Sequence, residues 1–98
     1  MTGLKYDGGK LRFSLIPPET TRALAQVLTF GAEKYSKDNW KLVEDGKERY
    51  LDALYRHLES HRLGEYLDPE SNLPHLAHVL TNAAFLHYLH SKEPNGLI

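Results

Sequence analysis

Apolar and polar positions along this chain change rhythm after the first seventeen residues. Leu11, Phe13 and Leu15 alternate with Lys10, Arg12 and Ser14, the two-residue period of a short, half-buried extended piece. Pro17-Pro18 stops that rhythm, and Pro18 suits the first position of a helix. From there the apolar residues recur at helical spacing. A first helix is predicted from about Pro18 to Tyr35, with Leu24, Val27, Leu28 and Phe30 on its apolar side. Gly31 weakens it by about 1 kcal/mol relative to alanine, which leaves a break open there. A polar loop over 36–46 carries Trp40. The second helix runs from about Lys47 to Leu63, with Leu51, Leu54, Tyr55 and Leu58 as its buried arc and His57 and His61 flanking it. Gly64 then fits a helix stop. The third helix spans about Leu73 to His90 and is apolar nearly all round, except for a stripe of His75, His78 and Asn82. Residues from Ser91 onward are expected to fray.

These elements predict an all-α fold: one three-helix domain over residues 1–98 with an extended N-terminal arm. The connection between the second and third helices is short, so they pair antiparallel. In the arm, Tyr6-Asp7-Gly8-Gly9-Lys10 reads as a turn whose glycines are free to take positive φ. The apolar perimeter of the third helix (Leu76, Val79, Leu80, Ala83, Phe85, Leu86) exceeds what two short helices can cover. A homo-oligomer with this helix partly at the interface follows.

Composition narrows the functional classes. Twelve Lys and Arg against thirteen Asp and Glu give a formal charge of −1, so a long nucleic acid has no overall electrostatic grip on the chain. The absence of cysteine excludes disulfides, thiolate nucleophiles and thiolate zinc sites. No stretch approaches the roughly 18 apolar residues of a membrane span, and no signal peptide opens the chain. A cytoplasmic location is the expectation.

The candidate chemistry lies where the second and third helices meet. His57 and His61 share a face at i, i+4, and His75, His78 and Asn82 form a stripe at i, i+3, i+7. A polar stripe on an otherwise buried helix needs partners. Three readings stay open. A divalent metal (Mg, Mn or Zn) would draw on His57, His61, His75 and His78, with Glu65 or Asp68 as oxygen ligand. A phosphate would take hydrogen bonds from His57, His61, His75 and His78 with Arg56 and Arg62, more tightly toward pH 6 as imidazoles protonate. Or each histidine is a satisfied polar residue at a helix interface. Other cations, Lys10 and Arg12 in the arm and Lys34 at the end of the first helix, suit phosphate oxygens. Trp40, with Tyr35 and Asn39, could stack on a base, or it folds back to cap the core, the reading preferred here. Acidic residues are unevenly placed. Glu44, Glu48, Asp52 and Glu59 lie at i, i+4, i+8 and i+15, while no acid occurs between Pro74 and Lys92. Magnesium, which wants several carboxylate oxygens, is poorly served by that set.

The ordered blocks Lys5-Tyr6-Asp7-Gly8-Gly9-Lys10-Leu11-Arg12, Leu15-Ile16-Pro17-Pro18, Phe30-Gly31-Ala32-Glu33-Lys34-Tyr35 and Asn39-Trp40 carry a resemblance. It continues through Ala53-Leu54-Tyr55-Arg56-His57-Leu58, Gly64-Glu65, Asp68-Pro69-Glu70-Ser71 and Pro74-His75-Leu76-Ala77-His78 to Asn82. Over roughly residues 5 to 86 the chain resembles the phage and prophage N-terminal domain of dATP/dGTP diphosphohydrolases, a family related by name to helical pyrophosphohydrolases. The resemblance implies a phage-type protein that handles purine nucleotides as an oligomer. Three readings remain: metal-dependent pyrophosphohydrolysis, a non-catalytic sponge, or an accessory subunit that has lost catalysis. The sponge would enclose a linear or cyclic nucleotide, such as a host immune signal, in an anti-defence role. The nucleotide-binding residues expected on any of them are Lys10, Arg12, Lys34, Tyr35, Asn39, Trp40, Arg56, His57, His61, His75, His78 and Asn82. The expected metal-holding set is His61, Glu65, Asp68 and His78.

Overall fold

In a computed structural model of the chain, residues 3–94 are described; the tail expected to fray lies, from residue 95 on, outside them. Three helices carry the fold: α1 (Pro18–Lys34), α2 (Gly46–Arg62) and α3 (His75–Ser91). Single 3₁₀ turns occupy Phe13–Leu15 and Asn39–Leu42. Pro18 stands in the first turn of α1, where its missing N–H costs nothing. Gly31 does not break that helix, which runs on to Lys34.

Helices α2 and α3 are antiparallel and make the most extensive packing in the molecule. Their ends show the direction. Gly46 at the start of α2 lies against Leu89 near the end of α3, and Lys47 pairs with Glu93. At the opposite ends, His57 meets His75. Between the two helices, the chain turns by a Schellman motif: Gly64 N–H donates to the His61 carbonyl (3.0 Å) and Glu65 N–H to the Ser60 carbonyl (3.0 Å). Gly64 takes φ +99°, the left-handed conformation that glycine tolerates best. A bridge of Leu67 with Pro74 then folds the 65–74 loop back on itself. Asn72, at φ 58°, makes the reversal, as asparagine can.

The inward face of α2 is rotated from the predicted one. Tyr50, Ala53, Leu54, His57, Leu58, Ser60 and His61 are the partly buried positions, whereas Leu51 and Tyr55 are 42% and 61% exposed. The new stripe still has helical spacing, so periodicity allowed both registers. The aromatic cluster on α3 selects between them. Phe85 stacks on Trp40 at 4.3 Å and meets Tyr50 at 4.9 Å, and Tyr88 closes on Trp40 edge-on at 5.0 Å. The Tyr50 hydroxyl donates to the Trp40 carbonyl at 2.6 Å. Drawing Tyr50 inward turns His57, seven residues on, into the interface as well. Trp40 therefore packs within the chain.

The arm departs from its expected form. Leu11, Phe13 and Leu15 are 80%, 72% and 65% exposed, and Phe13–Leu15 coils into a 3₁₀ turn. Their alternation has no sheet to face, since the only strand pairing among the described residues is the Leu67–Pro74 bridge. The Asp7–Lys10 turn does form, with Lys10 N–H donating to the Asp7 carbonyl (3.1 Å) and Gly9 at φ 80°. Phe85, assigned above to the apolar perimeter of the third helix, is taken up by the aromatic cluster. Of the large side chains on that perimeter, only Leu76 is substantially open, at 44%. No helix among the described residues is long and apolar enough to cross a membrane.

Candidate functional site

The most buried positions of this chain are mainly polar. Val27 and Ala77 are the only buried apolar residues among those described, against His75, His78, Thr81 and Asn82. All four polar residues lie on the inward stripe of α3, and each has a partner. Thr81 and Asn82 bond back to the carbonyls of Ala77 and His78, both at 2.8 Å. Asn82 thus spends one amide N–H on its own helix.

The histidines bond outward to α2 and the 65–74 loop. His75 Nε2 lies 2.7 Å from the Glu65 carboxylate, and its Nδ1 faces His57 Nδ1 at 2.8 Å. His78 Nε2 lies 2.7 Å from the Ser71 hydroxyl and 3.8 Å from Asp68 Oδ2. The His57 and His78 rings stack, centroids 4.4 Å apart and 8° from parallel. Asp68 Oδ2 accepts the Ser71 N–H at 2.9 Å, a local turn that holds its carboxylate toward the imidazoles. His61 takes no part in these bonds.

Electrostatics follow from crowding. Burial, followed by the neighbouring His78, pushes the His57 imidazole down from about 6.5 to about 4, and burial also lowers His78. Burial alone would raise the Asp68 carboxyl, but bonds from Ser71 and the adjacent imidazoles hold it below its ordinary value. His57 is therefore neutral at pH 6, and the tighter phosphate binding expected there from protonation is not open to it; His78 is shifted in the same direction. The consequence for folding has the same sign. The unfolded chain binds a proton at His57 before the folded one does, so stability is complete above about pH 6.5 and drains away toward pH 4. Its size by pH 5 is about 1 kcal/mol, after discounting about half for the half-exposed ring. Denaturant titration of EDTA-treated protein at pH 7.5 and pH 5 measures it, and His57→Gln should remove most of the difference.

A separate groove opens between α2 and the 35–43 connection. Tyr35, Asn39, Val43, Arg49, Tyr50, Asp52, Ala53 and Arg56 surround a space of about 570 Å³. It gathers three of the predicted nucleotide residues: Tyr35, Asn39 and Arg56. It adds Arg49, which the sequence reading missed; the signal was its spacing to Arg56, i and i+7 on one helix face. A second, more apolar pocket of about 420 Å³ adjoins it, sharing Tyr35 and Asn39 and bounded by Trp40, Phe85 and Tyr88. Lys41 lies over the rings of Trp40 and Tyr88 at 5.5 and 4.9 Å.

The remaining predicted residues are dispersed. Lys34 bonds Glu70 at 2.7 Å on the surface, which ties α1 to the 65–74 loop, and its ammonium also lies 5.1 Å over the Tyr35 ring at the edge of the groove. Lys10 and Arg12 stay in the exposed arm. Of the metal set, Glu65 and Asp68 lie at the histidine seam with His78, but the described groups close enough to share one ion are His57, Asp68 and His75, whose candidate ligand atoms lie within 4.8 Å of one another. Two imidazoles and one carboxylate suit a borderline cation such as zinc and fit magnesium badly.

Comparison with known proteins agrees with the sequence blocks. The sequence model of the family described as dATP/dGTP diphosphohydrolase, N-terminal, matches residues 1–96. A dATP/dGTP diphosphohydrolase of Salmonella phage PMBT28 is 40% identical over 97 residues, covering 98% of this chain and 32% of the relative. The chain thus spans about a third of that relative's length. No solved structure matches.

Proposed function

The chain belongs to the family of dATP/dGTP diphosphohydrolase N-terminal domains, and from that premise we propose that it binds a purine nucleotide through the Arg49/Arg56 groove. The observation that carries this reading is the convergence of two arginines, an exposed tyrosine and an amide around one concavity. Guanidinium groups are matched to phosphate oxygens in charge and geometry. Tyr35, 64% exposed at the end of α1, offers a face on which a base can stack, and Asn39 beside it can read the base edge. Phosphates lie along α2 and the base toward Tyr35. The nucleotide's name follows that of the relative; a cyclic nucleotide would meet the same groups.

Removing one charged hydrogen bond costs about 1.5–3 kcal/mol, so Arg56→Ala weakens dGTP or dATP binding by about tenfold or more. Arg49→Ala does the same, and raising salt mimics both. Calorimetric titration checks this, and affinity unchanged in both variants removes the groove from the site. His61→Ala, outside the groove, should bind as wild type.

Hydrolysis is the second reading, supported by the His57/Asp68/His75 group. The paired carboxylates that would hold magnesium on both helices are missing: α3 carries none, and Asp52 is the sole acid lining the groove. The sponge reading therefore has more support for this chain on its own. Product analysis separates them. Intact nucleotide recovered after denaturation supports the sponge, and released pyrophosphate supports the hydrolase. The cytoplasm, where such nucleotides occur, is the proposed location, and a second copy of the chain is the proposed partner.

A further inference from the structure

Two ring nitrogens that face each other at 2.8 Å cannot both present lone pairs; something positive must lie between them. In the protein alone this is one proton, and its position follows from the neighbours. Glu65 carries only acceptors when ionised, so its bond to His75 Nε2 assigns the proton there. Where that is the ring's one proton, His75 presents a bare Nδ1, and the proton between the rings belongs to His57 Nδ1. The order carboxylate, imidazole N–H, imidazole lone pair is the arrangement by which an outer carboxylate orients a metal-binding histidine and raises its basicity.

We infer that His57, Asp68 and His75 form a three-ligand site for a zinc-class dication, with Glu65 as the orienting carboxylate instead of a ligand. The dication takes the place of the shared proton, which moves to Nε2 of the same His57 ring, so no proton is lost from the pair. The two Nδ1 atoms then spread from 2.8 Å to roughly the 3.4 Å edge of a tetrahedron built on 2.0–2.1 Å bonds. Asp68, held by the Ser71 N–H, supplies the oxygen ligand. Two carboxylates beside the imidazoles make the locus attractive to a dication, and nitrogen-rich donors favour zinc and cobalt over magnesium and manganese. His78, stacked on His57 and bonded to Ser71, forms a wall of the site. Three protein ligands leave a fourth position open, as in sites where a metal meets water or a substrate oxygen.

Metal uptake tests this without reference to turnover or to nucleotide binding. Untagged protein, stripped by chelator, is titrated with cobalt(II) and read by visible absorption and by metal content after desalting. The expected result is one cobalt per chain with an intense tetrahedral band, displaced by zinc, and a higher unfolding temperature with either metal. Magnesium in large excess should give no such rise. Asp68→Asn and His75→Ala should each weaken cobalt binding at least tenfold. Glu65→Gln should weaken it about 10- to 100-fold, as loss of an orienting partner does, while His61→Ala leaves it unchanged. If His75→Ala fails to fold by circular dichroism, His57→Gln replaces it. Failure of the wild type to bind cobalt stoichiometrically overturns the assignment, as does equal loss in His61→Ala and Asp68→Asn.

Discussion

Trp40→Ala should destabilise the chain by about 3 kcal/mol, the lower end of the range for removing a large aromatic from a packed site. Trp40 is where the 35–46 connection is fastened to the helices, through the stack on Phe85, the edge contact with Tyr88 and the carbonyl that accepts the Tyr50 hydroxyl. Removing the ring opens a space that this connection cannot collapse to fill, because Asp38 and Asp45 bracket it in fixed left-handed turns, at φ 62° and 56°. For a domain of this size the thermal midpoint falls by about 12–24 °C. Trp40→Phe should restore more than half of the loss, since a smaller ring can still stack. The double variant Trp40→Ala/Phe85→Ala should show a coupling of about 0.5–1.5 kcal/mol. A loss below 1 kcal/mol for Trp40→Ala would mean that the ring is not structural and is free for a ligand.

Self-association is the second large effect. The chain exposes 7927 Å², where a compact protein of 11.2 kDa exposes about 5,700 Å². Its radius of gyration is 16.8 Å against about 13 Å for a compact domain of this length. The excess, about 2,200 Å² per chain, is of the size that an obligate homo-oligomer buries. Two exposed apolar groups face the question of a partner: the arm, with Tyr6, Leu11 and Phe13, and the outer stripe of α2, with Leu51 and Tyr55. An arm laid across the α2 stripe of a second copy would cover both. Sedimentation equilibrium at micromolar concentration should give at least twice 11.2 kDa, and Leu51→Asp with Tyr55→Asp should return the monomer. These two residues, and not Phe85, are the ones to charge, since Phe85 belongs to the aromatic cluster. A wild-type monomer under those conditions refutes the second copy as the occupant.

Much of this was written locally. Pro18 and Gly64 act through their own backbones, and these start and stop signals placed α1 and α2 to within one residue. The short 65–74 connection gave the antiparallel pair, because a short loop leaves the chain nowhere else to go. The gathering of histidines, Glu65 and Asp68 at one seam was also readable from i, i+3, i+4 and i+7 spacing. So was the family, whose blocks are sequence patterns.

Tertiary structure decided what depends on partners far along the chain. Leu51 and Tyr55 alternate with Tyr50 and Leu54 on a helix that could be buried on either stripe, and the choice fell to Phe85 and Trp40, 35 and 10 residues from Tyr50. That choice brought His57 inward, stacked it on His78, and narrowed the four candidate histidines to His57 and His75 as the pair nearest one ion. It also set Arg49 and Arg56 beside Tyr35 and Asn39. Periodicity states which residues share a face. The face that is buried, and the groups that meet there, depend on contacts between helices, which helical spacing within one segment does not encode.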